Sequence, residues 1–412
     1  MVAQRTAARP EQIRQHNLGL VLRHLHQRSE LTRSELVEVT GLNRSTIAAL
    51  VAELTNQGMV TQHRSNAVQS GAGRPSHLVT TSARAVYGLA VDVDVQTATV
   101  AAIGLGGQML ARRTWHHQGS STRPGPVVKR LGQVASELAQ ELAGGICVGI
   151  GVGVPGMVRS RDGYVLNAPN LGWHDVPFGA LLRKVFDVPV RCGNDGDLAA
   201  LAEHQRGAAM GYDNMICIIG RVGVGSGIIS AGLPLQGERG YAGEIGHMCI
   251  DPHGVLCHCG RRGCLEQYAG EAALLTAARA EGLLLRTLPQ LFTAATAGDP
   301  AALRAVNKVA HHLAIGTRNL INLLDPQMVV FTGHLADVLS HSRDVIQEAI
   351  AQAAVADTSR PVLLTHGSLT EPTLVGAAEL AFESLLSGDD GPPHNEADSL
   401  PSCPPVARLA RT

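Results

Sequence analysis

The 412-residue sequence predicts an α/β fold preceded by a small winged helix-turn-helix unit. Three observations carry this expectation. In the first 56 residues, apolar side chains recur at helical spacing in three short segments. From residue 86 onward, short apolar runs alternate with helical patterns, which implies βαβ units. Glycine is abundant at 46 residues and aromatics make up only 3%, so the core must be built from Ala, Val, Leu and Ile, with tight turns between elements.

The N-terminal segments come first. Residues 11–26 place Ile13, Leu18, Val21, Leu22 and Leu25 at helical spacing. A second helix from about Thr32 turns Leu36 and Val39 inward, and Gly41-Leu42-Asn43 forms the turn. A third helix is capped by Asn43 and shows Ile47, Leu50, Val51 and Leu54 at i, i+3, i+4, i+7. Strand-like residues at 59–61 and 78–80 flank a polar stretch containing Gly71-Ala72-Gly73-Arg74-Pro75, the pattern of a hairpin wing. The unit spans residues 1–80.

Strands follow at 87–95, 97–105 and 108–115, then a helix at 127–143 and a buried strand at 146–152 ending in Gly153-Val154-Pro155-Gly156. Further strands are expected at 188–192, 215–219 and 328–332. Helices are expected at 196–206, over most of 267–322, and at 377–386. Residues 387–412 are rich in Pro, Asp and Ser without periodicity, the signature of a disordered tail.

Net charge is −1, but residues 1–80 hold nine Arg and five Glu with no Lys or Asp, a local +4 against −5 elsewhere. A basic N-terminal unit suits a polyanion such as double-stranded DNA. The outward face of the third helix would offer Arg44, Ser45 and Thr46 to the major groove. Arg64 and Arg74 of the wing would meet backbone or minor groove. No apolar run is long enough to span a membrane, and no signal peptide is visible, so a cytoplasmic protein is expected.

Eight cysteines are present. Cys147, Cys192, Cys217 and Cys249 sit among apolar residues and are expected to be buried thiols. Cys257, Cys259 and Cys264 are clustered, which points to metal ligation and away from a secreted disulfide framework. With a histidine they form a soft tetrahedral set suited to structural Zn²⁺. Spacing alone leaves His247 and His258 both open as the fourth ligand.

The stretch Ile219-Gly220-Arg221-Val222-Gly223-Val224-Gly225-Ser226-Gly227-Ile228, followed by Gly237 and by Gly243-Glu244-Ile245-Gly246-His247, resembles the signature of the ROK family of repressors and sugar kinases. The cysteine cluster matches the same family, and the resemblance, which covers about residues 10–386, extends to its xylose-repressor-like and N-acetylglucosamine-repressor-like branch. It implies a two-lobed, actin-like ATPase fold with sugar in the cleft. The first lobe would span 81–190 plus 365–386, and the second, with the zinc knuckle, 191–364. It implies His247 as the fourth zinc ligand, and Gly153, Gly156, Asn194, Asp195, Glu244, His247 and Glu266 as sugar-site residues. Asn170, in the run from Asn167 to Trp173, is a further candidate.

In the family's kinases the residue at Asp195 is the general base, and an Asp-x-Gly-Gly-Thr loop approaches the phosphates. Here that segment reads Asp92-Val93-Asp94-Val95-Gln96-Thr97: both glycines are missing and Asp94 would repel phosphate. The second phosphate loop, Gly223 to Gly227, keeps its glycines but has Val222 where Thr is expected. The third reads Thr332-Gly333-His334. The resemblance therefore implies a sugar-responsive transcription repressor without kinase activity. Its partners would be an operator DNA, a sugar or sugar-phosphate effector, and further copies of the chain in a dimer or tetramer. The alternatives are an ATP-dependent sugar kinase with an accessory N-terminal domain, and a zinc-stabilised domain that binds sugar and a protein partner.

Overall fold

The computed structural model describes residues 10–64, 77–117, 123–351 and 361–387. Helix α1 (Pro10–Arg28) leads through strand β1 (Glu30–Thr32) to helices α2 (Arg33–Thr40) and α3 (Arg44–Asn56), then to β2 (Val60–Arg64) and β3 (His77–Thr81). Local sequence sets these boundaries. Thr32 and Glu35 exchange side-chain and backbone hydrogen bonds in a capping box that starts α2. Asn43 starts α3 by accepting from the Thr46 N–H at 2.9 Å. Ile47, Leu50, Val51 and Leu54 are all buried, as their spacing requires.

Three details differ from the sequence pattern. Ile13 is half exposed, and Val37, not Val39, packs against the core. Strand β1 adds a third member to the wing sheet, whose order is β1-β3-β2. Gly71, Gly73 and Arg74 of the expected wing lie outside the described residues, as does the tail beyond Ser387.

A five-stranded sheet follows. Its strands are β4 (Val86–Val93), β5 (Thr97–Gly104), β6 (Met109–His116), β7 (Ile146–Val154) and, later, β11 (Val190–Asn194). Helix α4 (Pro124–Glu141) precedes β7. A small antiparallel sheet of β8 (Met157–Arg159), β9 (Tyr164–Ala168) and β10 (Trp173–Val176), followed by α5 (Phe178–Arg183), separates β7 from β11. The large sheet runs β11-β7-β4-β5-β6, with β4, β7 and β11 parallel.

The same plan is then repeated. After α6 (Asp195–Arg206) come β12 (Met215–Gly220), β13 (Val224–Ser230) and β14 (Leu233–Pro234), then helices α7 (Glu266–Ala269), α8 (Glu271–Ala280), α9 (Leu288–Thr296) and α10 (Pro300–Leu324). Strand β15 (Met328–Gly333), α11 (His334–Ala351), β16 (Leu363–His366) and α12 (Pro372–Ser387) complete the chain. This sheet runs β14-β13-β12-β15-β16, again an antiparallel meander flanked by parallel strands. Each sheet, with its helices, forms one lobe with its own apolar core. Strand β11 crosses the expected lobe boundary at residue 190 and pairs wholly in the first sheet, and β16 crosses the one at 364 and pairs in the second. The glycine-rich run expected as a loop after β12 is mostly strand β13.

Two helices cross between lobes. Helix α6 leaves the first sheet and packs on β12 and β13 of the second, whereas α12 leaves the second and packs on β4 and β7 of the first. They also pack on each other, so the lobes are joined by an exchanged helix pair. The N-terminal unit is not closed either: its core of Leu22, Leu25, Leu36 and Leu50 continues into Val86, Leu105, Phe382 and Leu386. Apolar burial thus runs from α3, through α1, to α12.

Candidate effector pocket, metal centre and DNA-reading helix

The carboxyl ends of β4, β7, β11 and β12 converge on an open, polar-lined cavity. Of the expected sugar-site residues, Gly156, Asn170, Asn194, Asp195, Glu244, His247 and Glu266 line it. Gly153 does not: it pairs with Asp92 and Gly193 inside the first sheet. Asp94, Arg221 and His258 also line the cavity and were not among the expected contacts.

Asn194 is chiefly an organiser. As the cap of α6, its Oδ1 accepts from the N–H groups of Gly196 (2.7 Å) and Asp197 (3.2 Å). Its Nδ2 donates to the Gly156 carbonyl at 2.8 Å, tying the loop after β7 to the helix. Asp195 follows at the first helical position and is buried. Burial raises its pKa to about 6, Arg221 opposes that, and Asp92 and Asp94 add to it. Burial and then Asp195 and Glu266 raise Glu244 to about 7. Two residues further along α6, Asp197 is raised to about 8 by burial, then by Glu244 and Asp195. Carboxyl groups poised near neutrality in this way can donate to or accept from hydroxyl groups.

The glycines of the β12–β13 turn and of β13 serve packing. A Cβ at Gly227 would lie 2.5 Å from the Gly196 carbonyl, so α6 reaches β13 only over a bare backbone. A Cβ at Gly223 would lie 2.1 Å from Glu266 Oε2, so this glycine makes room for a cavity carboxylate. Just before them, Arg221 extends from the hairpin turn and grips Asp92 with two hydrogen bonds, of 2.7 and 3.2 Å. Asp94 lies 3.7 Å and Asp195 4.0 Å from the same guanidinium. An arginine inside a glycine-rich run is the only signal of this in the sequence.

Beside the cavity, the ligand atoms of His247, Cys257, Cys259 and Cys264 all lie within 4.8 Å of one another. His247 Nδ1 is 3.7 Å from Cys257 Sγ, and Cys259 Sγ is 3.6 Å from Cys264 Sγ. Metal–sulfur bonds of about 2.3 Å at tetrahedral angles require separations of about 3.8 Å. The four side chains therefore fit a metal ion. His258 stands outside the set and faces the cavity. Glu266 follows the cluster by two residues, and its Oε1 is 3.8 Å from Cys257 Sγ, so the knuckle fixes a cavity carboxylate.

On α3, Arg44 and Ser45 are exposed at the N-terminal end and Thr46 is half-buried. Ser45 donates its hydroxyl proton to Asn43 Oδ1 at 2.7 Å, which holds it near the helix start. Arg64 closes β2 opposite His77. Arg74 lies outside the described residues.

A winged helix-turn-helix fused to a duplicated fold with a polar cleft defines a DNA-binding regulator built on an actin-like sugar-binding scaffold. The chain belongs to the ROK family, whose profile matches residues 88–384, and residues 19–68 match the MarR family. It is 29% identical over 327 residues to the xylose repressor of Bacillus subtilis (strain 168), covering 79% of this chain and 84% of that protein. It is 31% identical over 317 residues to the glucokinase of Streptomyces coelicolor, covering 72% of this chain and 98% of that protein. The crystal structure of a ROK family transcriptional regulator, a homolog of the E. coli MLC protein, superposes with a TM-score of 0.77 at 26% identity over 92% of this chain and 98% of that one. Among the described residues no helix is long and apolar enough to cross a membrane.

Proposed function

We infer that the chain is a sugar-responsive DNA-binding repressor of carbohydrate genes, with effector in the interlobe cleft and α3 in the major groove of its operator. The observation that carries this is the apolar core shared by the helix-turn-helix and α12, because it joins the DNA-reading unit to a helix that spans the lobes. A sugar that changes the lobe arrangement would then bias the attitude of α3, and effector and DNA affinities would be reciprocally coupled. Two half-sites need two readers, so a homodimer is the working assembly.

Gly156, Asn170, Asp195, Glu244 and Glu266 would hold the sugar hydroxyls, with Asn194 fixing the loop. His247, Cys257, Cys259 and Cys264 would hold Zn²⁺, which supplies a rigid, closed knuckle and no catalytic step. Arg44, Ser45 and Thr46 would read DNA, flanked by Arg64 and Arg74 of the wing. The chain is not a kinase in this reading: the segment from Asp92 to Thr97 carries an acidic side chain where phosphates need glycine N–H groups, and Arg221 closes over it.

The test is a mobility shift on DNA upstream of the protein's own gene, titrated with free and phosphorylated sugars, beside a coupled assay for ADP release. Sugar-dependent release of bound DNA without ADP supports the reading. Sugar-dependent ADP production at turnover rates overturns it in favour of the kinase.

A further inference from the structure

Arg221 belongs to the second lobe and its main partner Asp92 to the first, so the ion pair spans the cleft. Both are largely buried, and both guanidinium nitrogens that reach Asp92 are committed to it. Around this pair the wall is acidic. Asp94 and Asp195 stand within 4.0 Å of the guanidinium, and Glu244 and Glu266 complete the lining. No Lys and no other Arg lies among the described lining residues, and of the two lining histidines His247 is a metal ligand in the reading above.

This arrangement separates two classes of effector. Uncharged hydroxyl groups can donate to every one of these carboxylates. A phosphate dianion finds no Lys and no unengaged Arg: to reach the one guanidinium it must pull Arg221 away from Asp92 and leave a largely buried carboxylate unpaired beside Asp94, an unfavourable like-charge arrangement. We propose that Arg221, held by Asp92, is a specificity residue that restricts the cleft to uncharged sugars and excludes phosphorylated sugars and nucleotides. The proposal rests on the reading of the cleft as a sugar site, but the Arg221 lock is testable without any sugar.

The experiment measures thermal unfolding and calorimetric binding of the full zinc-loaded chain. Inorganic phosphate is the first probe. It should leave the wild-type unchanged at millimolar concentration and stabilise Asp92→Asn, in which Arg221 has lost its partner. The Asp92→Asn/Arg221→Gln double variant should lose that response. Asp94→Asn, at a more open position, is the second variant should Asp92→Asn fail to fold, and should show a smaller gain. The second probe is a panel of xylose, glucose and N-acetylglucosamine with the 6-phosphates of the two hexoses. A free hexose that binds should do so at least about tenfold more tightly than its 6-phosphate, and the ratio should fall in Asp92→Asn. A wild-type that binds phosphate as well as Asp92→Asn does, or prefers a 6-phosphate, overturns the proposal. The expected phosphate responses with no sugar bound by any variant would uphold the Arg221 lock and overturn the sugar reading instead.

Discussion

His26 of α1 and Glu379 of α12 face each other across the joint between the DNA-reading unit and the effector domain, with Nε2 3.3 Å from Oε2 and both side chains almost wholly buried. The Gly106 N–H donates to His26 Nδ1 at 3.0 Å, so the ring proton sits on Nε2, toward Glu379. Arg206, the last residue of α6, grips the other Glu379 oxygen. Burial would raise the Glu379 pKa, but His26 and Arg206 bring it below its ordinary value. Helix α6 therefore carries the cavity residue Asp195 at one end and this buried node at the other.

Breaking that node should be costly. Glu379→Ala removes the carboxylate that faces His26 and pairs with the buried Arg206, and a loss of about 3–5 kcal/mol is expected in urea unfolding. Glu379→Gln keeps an acceptor for Arg206 and should fold, but the effect of sugar on DNA affinity should shrink while sugar binding itself persists. Unchanged coupling in Glu379→Gln would show that the joint does not run through this residue.

The three carboxyl groups around α6 predict a pH dependence. Asp195, Asp197 and Glu244 have folded-state values of about 6, 8 and 7, all above their ordinary ones. The fold therefore binds these protons more tightly than the unfolded chain does. Their stabilising contribution is complete below about pH 4 and is lost as pH rises through the folded values to about 8. Asp197→Asn should melt about 2 °C or more above the wild-type at pH 8.5 and close to it at pH 4. Equal differences at the two pH values would contradict this assignment.

How much of this was legible in the sequence depended on chain distance. The capping of α3 by Asn43 and the apolar stripe of Ile47, Leu50, Val51 and Leu54 are local, and could be read directly. The three cysteines lie within eight residues, so a metal cluster was visible; spacing could not choose between His247 and His258, the family resemblance implied His247, and the fold brings its Nδ1 to Cys257. Arg221 and Asp92 are 129 positions apart, and His26 and Glu379 sit in different units, so no local pattern announces either pair. The run from Gly223 to Gly227 reads as a loop because glycine disfavours strands, yet the close approach of α6 makes bare backbone necessary in β13.

Metal removal should act on the cleft. With Zn²⁺ bound by His247, Cys257, Cys259 and Cys264, a strong chelator or Cys259→Ser should loosen the loop that presents Glu266 and lower sugar affinity by about 10–100-fold. Metal content by atomic absorption should be equimolar with the wild-type chain and fall in the variant. Full sugar affinity in a metal-free, folded protein would refute the link.

Arg44 is exposed at the start of α3, where a groove-entering helix contacts DNA. Arg44→Ala should weaken operator binding by about 1–3 kcal/mol if it reads a base, or reduce the salt slope by about 1 if it meets a phosphate. Sugar affinity should not change. Unaltered operator affinity and salt slope would remove Arg44 from the interface.

One cleft sugar and one operator should bias the same joint. Calorimetric titration of the effective sugar into the protein, alone and saturated with its operator, tests this most directly. Operator should weaken sugar binding by the same factor by which sugar weakens operator binding, about 5–150-fold. Sugar affinity that is the same with and without bound DNA would contradict it.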